Sequence, residues 1–306
     1  ILAVGARNRP LPVKGAEHAL YLRTLDEADA LKQRLAEANG VVVIGGGFIG
    51  LEVAAAARSF GKAVTVIEAM PRLMARAVAP VLSDFFLHVH ESEGVEVMLN
   101  TSVAEVERDA AHLSDGRRIP TDLVVAGIGV VPNKELAREA GLEVANGIVV
   151  DEFLRTTDPH IYAIGDCSDH PNPFAGGRMR LESVQNAVDQ AKCAARAICG
   201  NSSPYRDVPW FWTDQYEIRF QMVGLSAGYD QSVIRGSIED RKFSVFYFKE
   251  GKLLAVDSVN RFGDHIAARK LLAQGLSMAA GTPLTPEQAA DESVDLKKLT
   301  APQRAG

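Results

Sequence analysis

Six consecutive residues, Gly45-Gly46-Gly47-Phe48-Ile49-Gly50, constrain this chain more than any other feature. They follow the apolar run at residues 41–44, a pattern suited to a strand buried on both faces. They open residues 48–60, which read as a helix, and a second apolar strand follows at 63–67. Strand, glycine turn, helix and strand form a βαβ unit. In that context G-x-G-x-x-G is a dinucleotide signature; alone it is weak. Gly45 permits the tight turn, Gly47 lets backbone approach a pyrophosphate, and Gly50 lets helix and strand pack closely. Phe48 and Ile49 begin the helix, where free N–H groups and the dipole attract phosphate.

Glu68 ends the second strand, 23 positions after Gly45. A carboxylate there accepts both ribose hydroxyls of NADH and repels a 2′-phosphate. Arg72 and Arg76 follow closely and pull the other way, because a nearby arginine accommodates that phosphate. Glu52 has two readings. It is an ordinary acid on a helix surface, or it faces the nicotinamide end of the dinucleotide.

The flanking sequence continues the alternation. Thr24-Leu25-Asp26-Glu27 caps a helix that runs through Leu35. Residues 80–93 read as a helix ended by Gly94, 95–99 as a strand, and 103–119 as a β-meander turning at Asp115-Gly116. With the apolar strand at 123–126, a doubly wound NAD-binding domain is expected at residues 26–129. Farther on, 161–164 reads as a strand ended by Gly165-Asp166, and 181–199 as a long helix. Pro204 and Pro209 mark a boundary. Beyond it, strands at 218–223, 231–235, 243–249 and 253–259 and a helix at 264–274 predict a largely antiparallel α+β domain. The opening Ile1-Leu2-Ala3-Val4-Gly5 reads as a buried strand entered in mid-domain, so further sequence is expected ahead of Ile1.

Composition excludes several classes. The net charge of -6 gives no general affinity for nucleic acid. Residues 205–306 are balanced, thirteen basic against thirteen acidic, so this third repels an acidic protein partner least. The three cysteines form no C-x-x-C pair and suit a reducing cytoplasm. No apolar run reaches the roughly 18 residues of a membrane helix. His88 and His90 do not share a helix face, which argues against a metal pair.

A second motif is more specific than the glycine loop. In residues 157–167, Thr-Asp-Pro-His-Ile-Tyr-Ala-Ile-Gly-Asp-Cys, a strand delivers Gly165-Asp166 into a turn where the carboxylate can bond a polyol. Here the chain resembles the two-dinucleotide flavoprotein reductases, whose matching Asp binds the ribityl chain of FAD. Leu2-Ala3-Val4-Gly5-Ala6-Arg7 is similar to the family's L-A-T-G-A-R segment, with Val4 for Thr. Gly127-Ile128-Gly129-Val130-Val131-Pro132-Asn133 is similar to its exit from the NAD domain. Residues 180–187 (Arg-Leu-Glu-Ser-Val-Gln-Asn-Ala) and 209–216 (Pro-Trp-Phe-Trp-Thr-Asp-Gln-Tyr) narrow the resemblance to FAD-dependent NADH:ferredoxin reductases of putidaredoxin-reductase type.

That resemblance runs over essentially the whole chain. It implies two Rossmann-like domains of glutathione-reductase type within an α/β fold. The FAD-binding one, residues 1–25 with 130–204, is incomplete, because the family's flavin glycine loop would lie ahead of Ile1. Residues 205–306 form the C-terminal reductase domain. The resemblance implies FAD contacts at Arg23, Asp166, Glu182, Ser183, Val184 and Trp210. To the NAD residues already named it adds Arg76 and Gly129. Lys192 and Trp212 fall where such reductases meet their ferredoxin; otherwise Trp212 is a core aromatic and Lys192 a solvated helix lysine. The expected activity is electron transfer from NADH through FAD to a [2Fe–2S] ferredoxin that serves a monooxygenase or ring-hydroxylating dioxygenase. The rivals are a disulfide or peroxide reductase of the same superfamily, or an NAD-binding module without flavin.

Overall fold

The computed structural model describes residues 1–275 and 284–300. Backbone contacts divide the chain into two compact units. One comprises Arg7–Val131 and Thr213–Glu217; the other comprises Ile1–Ala6, Pro132–Trp212 and Ile218–Gly306.

The first unit is built on a five-stranded sheet in the order Ala19–Leu20, Leu123–Ala126, Gly40–Ile44, Ala63–Ile67, Val95–Met98. Every pairing in it is parallel. Val41, Val42, Val43 and Ile44 are all buried, as a continuous apolar run requires when both faces are covered. Helices Leu25–Glu37, Phe48–Ser59 and Pro80–Ser92 supply the crossovers. Thr24 and Glu27 close a reciprocal capping box, the arrangement expected from their spacing. A three-stranded antiparallel meander, Val103–Val106, Ala110–Leu113 and Arg118–Pro120, packs Val103, Val106, Ala111 and Leu113 into the same core as Val42, Ile44 and Val124.

A second five-stranded sheet runs in the order Trp210–Gln215, Ile218–Gly224, Lys252–Val259, Lys242–Lys249, Gln231–Ser237, and its last four strands lie in the second unit. Its last four strands pair antiparallel. Helix Phe262–Gly275 lays Ala267, Ala268, Leu271 and Leu272 against Val223, Phe246, Phe248 and Val256. A separate core gathers Ile148, Val150, Leu154, Ala163, Cys167 and Cys193 beneath helix Val184–Ile198. Polar networks tie the sheet together internally. Tyr247 Oη donates to Asp257 Oδ2 at 2.9 Å. Arg261 Nε donates to Asp264 Oδ2 at 2.6 Å, and Ser244 Oγ donates to the same oxygen at 3.0 Å.

Four local features differ from what the sequence suggested. The opening residues do not form a buried strand. Leu2 makes one parallel bridge to Ala163, while Ile1 and Val4 are exposed. Residues 161–164 contribute bridges at Tyr162 and Ala163, and the strand itself runs Ser168–Asn172, after a single 3-10 turn. Ala6–Asn8 is a short strand that no pattern announced. Trp210–Gln215 is a strand that no alternation announced, because Trp210, Phe211 and Trp212 are all half-buried.

Candidate dinucleotide sites

In the first unit the glycine loop is shaped by backbone meeting backbone. Gly45 has φ +108°, a conformation that side chains disfavour, and a Cβ there would lie 2.5 Å from the Gly127 carbonyl oxygen. A Cβ on Gly50 would meet the Gly45 carbonyl oxygen at 2.0 Å. Gly47 differs. Its φ is -85°, and a Cβ on it would meet nothing within 4 Å. The protein's own packing therefore demands glycine at 45 and 50 and leaves the space beside 47 open. Gly47 is also the N-cap of helix Phe48–Ser59, with no side chain capping it, and Ile49 is exposed on the first turn. A helix N-terminus of this kind offers N–H groups to phosphate, so the loop fits a dinucleotide.

Glu68 is anchored at this loop. Its Oε2 accepts from the Gly46 N–H at 2.6 Å and its Oε1 from the Met70 N–H at 2.7 Å. A carboxylate has about four acceptor positions, so two backbone bonds leave lone pairs for hydroxyls. Arg72 is held by its own loop. It donates to the carbonyls of Val78 and Ala75 and to Ser83 Oγ, each at 2.7 Å. Arg76 is exposed, as is Gly129, which turns at φ +96°. Arg23 is exposed in the same unit.

Glu52 is half-buried one turn into the helix, and Thr213 Oγ1 donates to its Oε1. Burial raises its pKa, the Thr213 bond opposes that rise, and the charge of Asp214 reinforces it. Thr213 is one of a set that sequence reasoning missed. His90, Gln215 and Tyr216 join it through hydrogen bonds. His90 and Gln215 lie 125 positions apart, and no spacing rule pairs them.

The second unit holds the other predicted residues. Asp166 sits in the 3-10 turn Gly165–Cys167, with Gly165 at φ +75°. Gln190 Oε1 clamps this turn by accepting from the Gly165 N–H at 2.7 Å and from Ser168 Oγ at 2.8 Å. Arg180 Nη1 donates to the Asp166 carbonyl at 3.1 Å and pairs with Glu182 Oε1 at 2.5 Å. Arg180 and Gln190 are therefore the organisers of the Asp166 motif, and neither was predicted. Ser183 Oγ caps helix Val184–Ile198 by accepting from the Asn186 N–H at 3.1 Å, and Val184 is exposed at its first position.

Trp210 packs against three neighbours. Its ring lies 5.5 Å from Trp212 and 5.4 Å from His265, with the Arg269 guanidinium 4.5 Å above it. Its Nε1–H is buried without an acceptor. An unused buried donor is what a polar ligand would satisfy, so these residues fit a flavin dinucleotide. Lys192 is exposed and lies 3.5 Å from Asp189 Oδ1.

The family described as pyridine nucleotide-disulphide oxidoreductase matches residues 1–191, and the one described as reductase C-terminal matches residues 210–300. The rhodocoxin reductase of Rhodococcus erythropolis is 54% identical over 98% of this chain and 71% of that protein. The crystal structure of the ferredoxin reductase for the CYP199A2 system from Rhodopseudomonas palustris superposes with a TM-score of 0.93 at 50% identity, covering 98% of this chain and 74% of that one. The reductase in the covalent putidaredoxin reductase–putidaredoxin complex gives a TM-score of 0.92 at 42% identity, over 100% of this chain and 75% of that one.

Proposed function

Because this chain belongs to the pyridine nucleotide-disulphide oxidoreductase family, in its ferredoxin reductase branch, we propose that Gly45–Gly50 and Glu68 bind NADH and that Glu52 faces its nicotinamide. The chain is an oxidoreductase that passes electrons from NADH by way of FAD to a [2Fe–2S] ferredoxin serving an oxygenase system. FAD, when bound, supplies the chemistry that accepts a hydride and releases electrons singly.

The chain's residues bind and orient. The single observation that carries this reading is the contrast among the glycines. Gly45 and Gly50 are required by internal packing, while the space beside Gly47 is open. Its neighbours then take their roles. The helix N-terminus at Phe48 and Ile49 receives the pyrophosphate, with Gly129 and Arg76 beside the dinucleotide. Glu68, already oriented by two backbone N–H groups, accepts the ribose hydroxyls. With Arg72 occupied by its own loop, the case for NADH over NADPH strengthens.

Asp166, Glu182, Ser183, Val184 and Trp210, with Arg23, are the residues that would hold FAD. Lys192 and Trp212 would meet the ferredoxin. The domain scheme that goes with this is NAD-binding at 26–129, FAD-binding at 1–25 and 130–204, and the partner domain at 205–306. We place the protein in the cytoplasm. Its cysteines are all free thiols, and among the described residues no helix is long and apolar enough to cross a membrane. Stopped-flow mixing of the flavin-loaded protein with NADH tests the reading. Rapid bleaching of the flavin band supports it, and a flavin that NADH leaves oxidised overturns it.

A further inference from the structure

The Trp-Phe-Trp block is followed by Thr213-Asp214-Gln215-Tyr216; Thr213 bonds Glu52 directly, Gln215 bonds Thr213, and His90 links Tyr216 to Gln215. Five residues, Thr213–Glu217, group with the NAD-binding unit although the sequence on both sides belongs to the other. Thr213, Gln215 and His90 are each no more than 1% exposed. Tyr216 takes a positive φ of +54°, unusual for an aromatic residue, and its ring meets that of His90 edge-on at 5.2 Å.

The chemistry of the groups fixes the direction of every bond. An ionised Glu52 can only accept, so the Thr213 hydroxyl must donate to it. Thr213 Oγ1 is then free to accept from Gln215 Nε2, 3.3 Å away. That orientation turns Gln215 Oε1 toward His90 Nε2 at 2.9 Å, which must carry the ring proton. His90 Nδ1 is left as the acceptor for the Tyr216 hydroxyl at 3.2 Å. Both conditions this needs are met. Burial holds His90 below its ordinary pKa, against the opposing Gln215 bond and the charge of Glu93, and burial lifts the Tyr216 phenol to about 12. All four donors point toward Glu52, and aligned bonds polarise one another.

We propose that Thr213, Gln215 and His90 are positioning residues that hold the Glu52 carboxylate, as an oriented acceptor, toward the carboxamide NH2 of nicotinamide. The inference rests on the reading that Glu52 faces the nicotinamide. It makes this chain of residues the determinant by which the reductase recognises an amide at that position. A dinucleotide carrying a carboxylate in place of the carboxamide would meet Glu52 with like charge.

Titration of the flavin-loaded protein with NAD+ and with deamido-NAD+ (the nicotinic acid analogue) measures this as a ratio of affinities, independent of turnover. The wild type should prefer NAD+. Glu52→Gln should reduce that preference about tenfold or more, Thr213→Val should reduce it about threefold or more, and Thr213→Ser should restore it. If Glu52→Gln leaves the ratio unchanged, the nicotinamide reading itself fails. If Glu52→Gln lowers the ratio and Thr213→Val does not, that reading stands and the positioning chain is wrong. Nitrogen-15 NMR of the wild type gives a second measurement that needs no variant. A neutral His90 protonated on Nε2 is expected, and a proton on Nδ1 overturns the proposal.

Discussion

A Cβ on Gly50 would lie 2.0 Å from the carbonyl oxygen of Gly45, so the start of the first nucleotide helix and the end of its strand touch backbone to backbone. Gly50→Ala must push these elements apart and should destabilise the unit by about 2–4 kcal/mol. Gly47→Ala has no such obstacle. It should leave the thermal unfolding midpoint almost unchanged and weaken NADH binding about tenfold or more. Thermal unfolding and an NADH titration of both variants check the pair; equal stability losses would refute the distinction.

Glu68 bonds two backbone N–H groups as well as facing the proposed ribose position. Glu68→Gln keeps a carbonyl acceptor and removes the charge. The KM for NADH should rise roughly tenfold, since a bond to a charged group is worth about 1.5–3 kcal/mol. Flavin content should not change, and discrimination against NADPH should fall. An unaltered KM would remove Glu68 from the ribose site.

Trp212 stacks beside Trp210 rather than lying deep in the core. Trp212→Ala should slow reduction of the ferredoxin while sparing reduction of a small dye. Parallel assays with the two acceptors decide this. Equal loss of both would assign Trp212 to flavin packing instead of docking.

Stability should respond to pH from two directions. His170 and His265 are held at about 4 by burial, below their ordinary 6.5. Their unfolded forms bind protons that the folded forms refuse, so stability falls as pH drops from 6.5 toward 4. Asp257 behaves oppositely. Burial raises it from 3.8 to about 7, so the folded state holds a proton there and stability falls as pH rises through that range. Asp257→Asn should keep the Tyr247 bond and remove the second loss. Urea unfolding between about pH 5 and pH 8 should show the variant gaining on the wild type as pH rises. A constant difference would mean that Asp257 does not titrate there.

The βαβ unit was legible because its signals are local. A glycine loop flanked by an apolar strand and a helical period fixes strand, turn and helix without reference to the rest of the chain. Leu123–Ala126 and Ala63–Ile67 form at the bounds their apolar runs suggested, for the same reason. What escaped was non-local. The strand Trp210–Gln215 carries three half-buried aromatics in a row, so alternation failed there. The clamp from Gln190 to Gly165, and the link from His90 to Gln215, pair residues that only the folded chain brings together. Ile1–Gly5 misled in the opposite sense, because an apolar run reads as buried whatever surrounds it.

Gly45 is hemmed in by Gly127 as well as by Gly50, and Gly127 follows directly on strand Leu123–Ala126. That strand lies between Ala19–Leu20 and Gly40–Ile44, one in from the edge of the sheet and last of its strands in the sequence. The pocket for the nucleotide is thus unfinished until the final strand slots between two that precede it by many residues. Contacts of such long sequence separation form slowly. During refolding, recovery of NADH affinity should therefore lag behind recovery of helical signal, and on the ribosome the unit should stay unable to hold nucleotide until residues beyond Gly127 have emerged.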